Sequence, residues 1–202
     1  MVATVLYTGL RISEMLGLTW DDIDFTAGAI HVRAQLSRAH RGAPACRVPP
    51  KTAASIRDIP LVAQLARLLA AHKQATPYAA RRDWVFTTAH GTPHGHRNVT
   101  QRGLQRAART AGLNDDGWPP LRFHDLRHTF ASHLIILDLG LDVAQVSRIL
   151  GHARITVTLD VYTHLFDDAR HAREIRTLMT ASPFAELLDS TTDPACPVLR
   201  LR

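Results

Sequence analysis

The spacing of apolar residues divides the chain into a mixed N-terminal part and a helical remainder. Residues 29–36 alternate between apolar and polar side chains, and two shorter extended pieces follow at 46–48 and 55–60, joined by a turn that carries Lys51. From Leu61 onwards, apolar residues recur at helical spacing. The pattern predicts a mostly α (α+β) domain, in which a helical bundle carries a small three-stranded antiparallel sheet near the N-terminal end.

Gly, Asp and Ser residues mark the predicted ends of the helices. A first helix is predicted to end at Gly9, and Ser13 is predicted to cap a short helix over 14–18. Further helices are predicted from 61 onwards and over 98–111, 124–139, 143–150, 155–165 and 167–180. Residues 181–202 contain three prolines and are predicted to form a weakly structured tail.

Composition narrows the class of protein. The 202 residues are 46% hydrophobic and 21% charged, which is typical of a globular domain. No apolar run approaches the ~20 residues that a membrane span requires, and the N-terminus lacks a basic secretory signal. The two cysteines, Cys46 and Cys196, indicate neither a disulfide framework nor a zinc finger. We therefore expect a soluble cytoplasmic protein that has no membrane partner.

The positive charge is concentrated in one part of the chain. The net charge is +6, but residues 31–112 carry fourteen basic and two acidic side chains. Such a block is a candidate surface for a polyanion such as DNA, although a solvated basic face is the alternative. Only Lys51 and Lys73 are lysines among the 24 basic residues, so a retained lysine is itself a candidate for chemistry.

Two arginine-containing segments could bind an anion. Arg11 directly precedes a predicted helix N-terminus, where free backbone N–H groups also favour an anion; the alternative is an ion pair with Glu14, three residues on. His124 and Arg127 lie one helical turn apart and share a helix face. Zinc binding by His124 and His128 is disfavoured, because no third ligand is evident.

Two further residues could complete such a site. His152 follows a helix-ending glycine and could donate a hydrogen bond to an oxyanion from an exposed turn. Tyr162 lies on a predicted amphipathic helix, where an isolated tyrosine is more often a core residue than a nucleophile. As a nucleophile it would require cationic neighbours, since a phenol ordinarily has a pKa of ~10.

The order of these residues resembles a known family. Arg11, Lys51, His124, Arg127, His152 and Tyr162 occur within strings such as Thr-Gly-Leu-Arg-Ile-Ser-Glu, His-Asp-Leu-Arg-His-Thr-Phe-Ala-Ser and Leu-Gly-His. From about residue 3 to 180 the chain closely resembles the catalytic domain of the tyrosine recombinases, the phage integrase family. The resemblance implies cleavage and rejoining of DNA, for integration or other site-specific recombination, through a 3′-phosphotyrosyl intermediate.

The resemblance also implies a catalytic role for each of the six residues. Arg11 and Arg127 would hold the scissile phosphate, and His152 would add a hydrogen bond to it. His124 would accept or relay the proton of the nucleophile Tyr162. Lys51 would protonate the leaving 5′ oxygen. The same resemblance implies no cofactor and no metal.

The resemblance implies double-stranded DNA as the partner and assembly of a homotetramer on it, with any accessory factors unknown. The arginines expected to face DNA lie on the predicted sheet and on the 98–111 helix: Arg33, Arg47, Arg57, Arg102, Arg106 and Arg109. Phosphate contacts of this kind contribute affinity without choosing a sequence, so the target stays open.

The domain organisation departs from the family pattern. Residues 1–180 correspond to the catalytic domain, clipped at its N-terminal end, and 181–202 form a tail that could be exchanged between protomers. The core-binding DNA domain that usually precedes the catalytic domain is absent from this sequence. A remnant that only binds DNA is therefore an alternative function, and a type IB topoisomerase relative is a less favoured one.

Overall fold

A computed structural model of the chain describes residues 1–38, 44–113, 119–136 and 141–163, together with 165, 172, 175 and 177. These residues form a helix-rich domain with two small antiparallel sheets, which confirms the predicted fold class. The predicted tail over 181–202 and most of the predicted helix over 167–180 lie outside the described residues, as does the end predicted for the 124–139 helix.

The N-terminal helices meet at a glycine that no other residue could replace without strain. Helix α1 (Val2–Thr8) ends at Gly9, as predicted, in the left-handed region with φ of 61°. A Cβ at Gly9 would lie 2.4 Å from the Phe130 ring. Helix α2 (Ile12–Leu16) begins two residues earlier than predicted: Arg11, not Ser13, is its N-cap, because the Glu14 carboxylate accepts a hydrogen bond from the Arg11 backbone.

The sheet near the N-terminal end has three strands, but not the three that were predicted. Strands β1 (Ile23–Asp24), β2 (Ala29–Val32) and β5 (Arg57–Pro60) pair in the order β1-β2-β5. Strand β1 lies in the polar segment over 20–24, where no strand was predicted; Ile23 is buried there and pairs with Ile30. The 46–48 piece instead joins a separate pair, β3 (Gln35–Leu36) with β4 (Arg47–Val48).

The remaining described elements are helical. They are α3 (Ala63–Ala75), a continuous segment formed by α4 (His96–Asn98), a π-helical stretch (Val99–Leu104) and α5 (Gln105–Thr110), then α6 (Phe123–Ile136), α7 (Val143–Leu150) and a helix over 156–163, named α8. Helix α7 has the predicted bounds and caps: Asp142 and Gln145 form a capping box, and Gly151 ends the helix with φ of 68°.

Two hydrophobic cores hold these elements together. The larger one joins the three-stranded sheet to α1, α2 and α3. The smaller one, which we name the tyrosine cluster, consists of Ala131, Ile135, Val146, Leu150 and Tyr162. Helix α1 packs against α6 and so connects the two. Among the described residues, no helix is long and apolar enough to cross a membrane.

Candidate active site

Three arginines converge on the C-terminal end of helix α7. Nε of Arg57 donates to the carbonyl of Ile149 at 2.7 Å, Nη2 of Arg127 to that of Leu150 at 2.6 Å, and Nη2 of Arg11 to that of Gly151 at 3.0 Å. The last carbonyls of a helix lack partners within the helix and carry the negative end of its dipole. Three consecutive carbonyls at the end of α7 therefore each bind one arginine side chain.

A buried carboxylate completes this arrangement, which we name the arginine centre: Arg11, Arg57, Arg127 and Glu14. Glu14 is 1% exposed and accepts hydrogen bonds from Arg57 at 3.0 and 3.2 Å and from Nη1 of Arg11 at 2.8 Å. Burial raises the pKa of Glu14, but the hydrogen bonds and charges of Arg57 and Arg11 outweigh it and hold this pKa below its ordinary value. The carboxylate is thus ionised and orients both guanidinium groups.

The deepest member of the arginine centre is Arg127. It is 2% exposed, and its Nη1 also donates to the carbonyl of Gly9 at 2.6 Å, so it joins the end of α1 to the end of α7. Burial lowers the pKa of Arg127 to about 9, and the charges of Arg11 and Arg57 act in the same direction. The guanidinium remains charged at neutral pH and supplies a buried positive charge.

Lys51 and Arg11 open onto the same cleft. This cleft of about 190 Å³ is also lined by Gln35, Ser55 and Ala153, the residue after His152. Lys51 is exposed, whereas the Arg11 side chain is 35% exposed. The loop between β4 and β5 thus brings the predicted proton donor to the accessible edge of the arginine centre.

His152 follows Gly151 at the far side of the same turn. Its Nδ1 lies 2.8 Å from Oγ1 of Thr158, which is fully buried, so α8 fixes the orientation of the ring. Burial, together with the charges of Arg127, Arg11 and Arg57, lowers the pKa of His152 to about 4. The imidazole is therefore neutral at neutral pH.

Tyr162 lies in the core, as expected for a tyrosine on an amphipathic helix. Its hydroxyl nevertheless has a polar partner. The residue is 4% exposed, and its Oη lies 2.5 Å from Nδ1 of His128 on α6. Burial raises the pKa of Tyr162, and the charge of Arg127 partly opposes this shift. The phenol is therefore protonated at neutral pH.

His124 reaches this region through His128. The two rings meet edge to face with centroids 4.5 Å apart, which follows from their spacing of four residues on α6. Burial lowers the pKa of both histidines, and the charge of Arg127 adds to the effect in each case. The structure thus brings His128, rather than His124, into hydrogen-bond contact with Tyr162.

The arginines expected to face DNA fall into two groups. Arg102, Arg106 and Arg109 are exposed along the helical segment over 96–110, as that expectation requires. Arg33 and Arg47 are partly exposed and form ion pairs with Asp58 and Asp22. Arg57 is the exception: its side chain is 6% exposed and bonded to Glu14, so its position corrects the predicted phosphate contact to a structural role.

Two residues of the site, Glu14 and His128, were missed as site residues in the sequence, and Arg57 was predicted only as a contact to DNA. Glu14 was considered only as an alternative partner for Arg11. For Arg57 a signal existed, because alternation along β5 puts Arg57 on the same face as the buried Ile59. For His128 the sequence offered only its spacing from His124. Among the described residues, no group of three His, Cys, Asp or Glu side chains is placed to hold a metal ion.

Solved structures with a similar fold include two integrases. The transposon Tn1549 integrase in complex with circular intermediate DNA superposes with a TM-score of 0.71 at 28% identity, over 87% of this chain and 58% of that one. The catalytic domain of bacteriophage HP1 integrase shares the fold alone, with a TM-score of 0.50 at 21% identity over 90% of this chain and 82% of that one.

The chain belongs to the phage integrase family, whose family model matches residues 1–169. A tyrosine recombinase XerC-like protein of Caldanaerobacter subterraneus is 31% identical over 176 residues, covering 78% of this chain and 43% of that protein. The transposase from transposon Tn916 of Enterococcus faecalis is 31% identical over 177 residues, covering 83% of this chain and 42% of that protein. The chain therefore spans less than half the length of these relatives.

Proposed function

We propose that this chain carries the catalytic part of a site-specific recombinase that cuts and rejoins double-stranded DNA through a 3′-phosphotyrosyl intermediate. The observation that carries the proposal is the arginine centre, which fixes three guanidinium groups beside an open cleft that also holds Lys51. Fixed cations of this kind stabilise the charge that grows on a phosphoryl group in its transition state. The family membership and the recombinase and transposase names of the relatives support the same chemistry.

The phosphate would be held from one side of the cleft. Arg11, whose guanidinium is partly exposed, would contact a non-bridging oxygen of the phosphate. Arg127 would add positive charge from the buried side of the arginine centre. His152 is neutral, and when Thr158 donates to Nδ1 the ring proton lies on Nε2, which can donate to the same phosphate. These three residues would stabilise charge without transferring a proton.

Bond making and breaking would fall to Tyr162 and Lys51. Oη of Tyr162 attacks phosphorus, the bond from phosphorus to the 5′ oxygen breaks, and the ammonium of Lys51 gives the leaving oxygen its proton. An ammonium group transfers a proton at moderate pH, whereas a guanidinium group does not, which explains a lysine in an arginine-rich chain. His124, whose ring lies against His128, would relay the proton that leaves the phenol.

Residues 1–180 would form the catalytic domain of a cytoplasmic protein, with the exposed Arg102, Arg106 and Arg109 facing DNA phosphates. Assembly as a homotetramer on DNA, with 181–202 exchanged between protomers, completes the proposal. Phosphate contacts make such binding strongly dependent on salt.

The test is covalent capture of DNA by Tyr162. The protein is incubated with a pool of duplexes that have randomised central sequences and a nick, so that cleavage releases a short fragment and prevents rejoining. We expect wild type to form an adduct that survives SDS, and the recovered DNA then identifies a cleaved sequence. Tyr162→Phe should form none, whereas Tyr78→Phe, which removes an exposed phenol hydroxyl, should behave as wild type.

Other outcomes of this test distinguish the alternatives. Retarded DNA without an adduct in wild type would contradict the proposal and favour a module that only binds DNA. An adduct combined with relaxation of any supercoiled plasmid would favour topoisomerase-like activity. An adduct that persists in Tyr162→Phe would show that another residue is the nucleophile.

The role of Lys51 has its own test. Lys51→Ala should slow adduct formation on ordinary DNA by about 100-fold or more, since proton transfer by a positioned group contributes on that scale. On a duplex in which sulfur replaces the bridging 5′ oxygen, the variant should match wild type, because a thiolate leaves without a proton.

A further inference from the structure

The partner of the Tyr162 hydroxyl is a histidine outside the six predicted catalytic residues. Nδ1 of His128 lies 2.5 Å from Oη of Tyr162, and the two ring centroids are 5.7 Å apart with the rings tilted by 52°. His128 lies on α6 and Tyr162 on α8, 34 residues apart, so packing of the two helices creates the contact.

The surroundings determine the direction of the hydrogen bond. Tyr162 is 4% exposed, and its burial raises the pKa of the phenol, so Oη carries its proton. Burial lowers the pKa of His128, and the charges of Arg127 and Arg122 lower it too while that of Asp125 opposes them. The imidazole is therefore neutral, and Nδ1 can accept from the phenol if its own proton lies on Nε2.

The position of His128 also gives the proton of the phenol a route out of the site. Water has little access to Oη, because Ala131, Ile135, Val146 and Leu150 pack around the tyrosine. His128 is only partly buried, and the ring of His124 lies against it with centroids 4.5 Å apart. A proton taken up at Nδ1 can thus leave through Nε2 to solvent or to His124.

We propose that His128 is the catalytic residue that accepts the proton of Tyr162, an inference that rests on the proposed function. As Oη bonds to phosphorus, the O–H bond of the phenol breaks and its proton passes to Nδ1 of His128. The bond from phosphorus to the 5′ oxygen breaks at the same time, and the leaving oxygen takes a proton from Lys51. The imidazolium then loses its Nε2 proton, by way of His124 or directly to solvent.

The experiment compares two asparagine variants on the same helix. His128→Asn places an amide oxygen near the position of Nδ1, which keeps an acceptor but provides no base. His133→Asn is the matched control, because His133 is exposed on α6. On a duplex that wild type cleaves, we expect His128→Asn to lower the rate of adduct formation by about 100-fold or more at unchanged DNA affinity. His133→Asn should leave the rate unchanged.

A second arm separates proton transfer from packing. In His128→Asn, a fluorinated tyrosine at position 162 has a much more acidic phenol, which ionises without a base. We expect this substitution to restore most of the lost rate. A variant that cleaves within about threefold of wild type would overturn the proposal, as would a slow variant that the fluorinated tyrosine does not restore. If wild type itself forms no adduct, the proposed function fails and this inference fails with it.

A measurement on wild type keeps the proposal testable if His128→Asn does not fold. Nitrogen NMR of the histidine rings distinguishes the two neutral tautomers. The ring coupled to Tyr162 should carry its proton on Nε2. A ring that carries its proton on Nδ1 cannot accept from the phenol and would refute the proposal.

Discussion

The arginine centre and the tyrosine cluster both contact Leu150 at the end of α7, but different interactions hold them in place. Arg11, Arg57 and Arg127 are fixed by hydrogen bonds to Glu14 and to backbone carbonyls. Tyr162 is fixed by apolar packing and by its hydrogen bond to His128. Charge-assisted bonds in a buried site are specific in direction and costly to break, whereas apolar contacts have no direction.

The difference indicates which side is preorganised. The groups that would hold the phosphate are in position before DNA arrives, so little reorganisation is needed when charge develops. The position of Tyr162 can change at a lower cost in free energy than the positions of the arginines, because apolar surfaces that slide past one another leave no charge unpaired. His128 adjoins Arg127 on α6, which the arginine centre holds in place, so an adjustment of Tyr162 would come from α8.

The largest loss of stability is expected from a substitution that removes the carboxylate of the arginine centre. Glu14→Ala leaves the buried Arg57 without its carboxylate, and we expect the free energy of unfolding to fall by about 3–5 kcal/mol. Urea unfolding followed by circular dichroism measures the change. Asp58→Ala is the control, because its ion pair with Arg33 is exposed and should contribute less than about 1 kcal/mol. Equal losses in the two variants would contradict a special role for the buried carboxylate.

A somewhat smaller loss is expected when the tyrosine cluster is opened. Ile135→Ala removes a side chain that is 4% exposed, and we expect a loss of about 2–3 kcal/mol in the same assay. The value lies low in the usual range because a small core collapses readily around a cavity. Leu68→Ala, at a position 56% exposed, should change stability by less than about 0.5 kcal/mol. A loss for Ile135→Ala above that of Glu14→Ala would reverse the ranking of the two regions.

Removing only the hydroxyl of Tyr162 should cost less again. Tyr162→Phe keeps the packing but loses the hydrogen bond to His128, and we expect a loss of about 1 kcal/mol. Tyr78→Phe removes an exposed hydroxyl and should be close to neutral. No measurable loss in Tyr162→Phe would mean that the contact with His128 contributes nothing to the resting fold.

The smallest expected effect concerns pH and His152. Its folded pKa of about 4 lies below the unfolded value of 6.5, so between these values the unfolded state binds more protons. The free energy of unfolding should therefore fall as the pH is lowered from about 6.5 to 4. In His152→Gln this part of the slope should be absent, and the partial exposure of the ring keeps the difference small. Identical slopes in both proteins would show that the ring titrates normally.

Local patterns predicted the parts of the fold that local physics determines. Helix α7 followed from Asp142 and Gly151, because both caps are formed by neighbouring residues. Strand β1 was missed, since its short pairing depends on Ile30 and not on its own polar sequence. A strand of two residues carries too little alternation to be recognised.

The candidate site shows the same limit. The resemblance to the family selected Arg11, Lys51, Arg127 and Tyr162, but the partners that orient them come from distant elements. The Arg57 bond to Ile149 spans 92 residues, and the Tyr162 bond to His128 spans 34. A single sequence contains no distance information of that kind, so the charge of Arg57 was interpreted as a DNA contact when burial makes it structural.

The bond from Arg127 to the carbonyl of Gly9 has a consequence for the synthesis of the protein. The two residues are 118 apart, and a ribosome that adds about 5–20 residues per second needs on the order of ten seconds to cover that interval. Until α6 has been synthesised, α1 lacks the helix that it packs against. Arg11 likewise lacks its hydrogen-bond acceptor, the carbonyl of Gly151, until that residue has been added. The residues around Gly9 are therefore among the last of the described residues to be fixed in place, so proteases should cut nascent chains readily there.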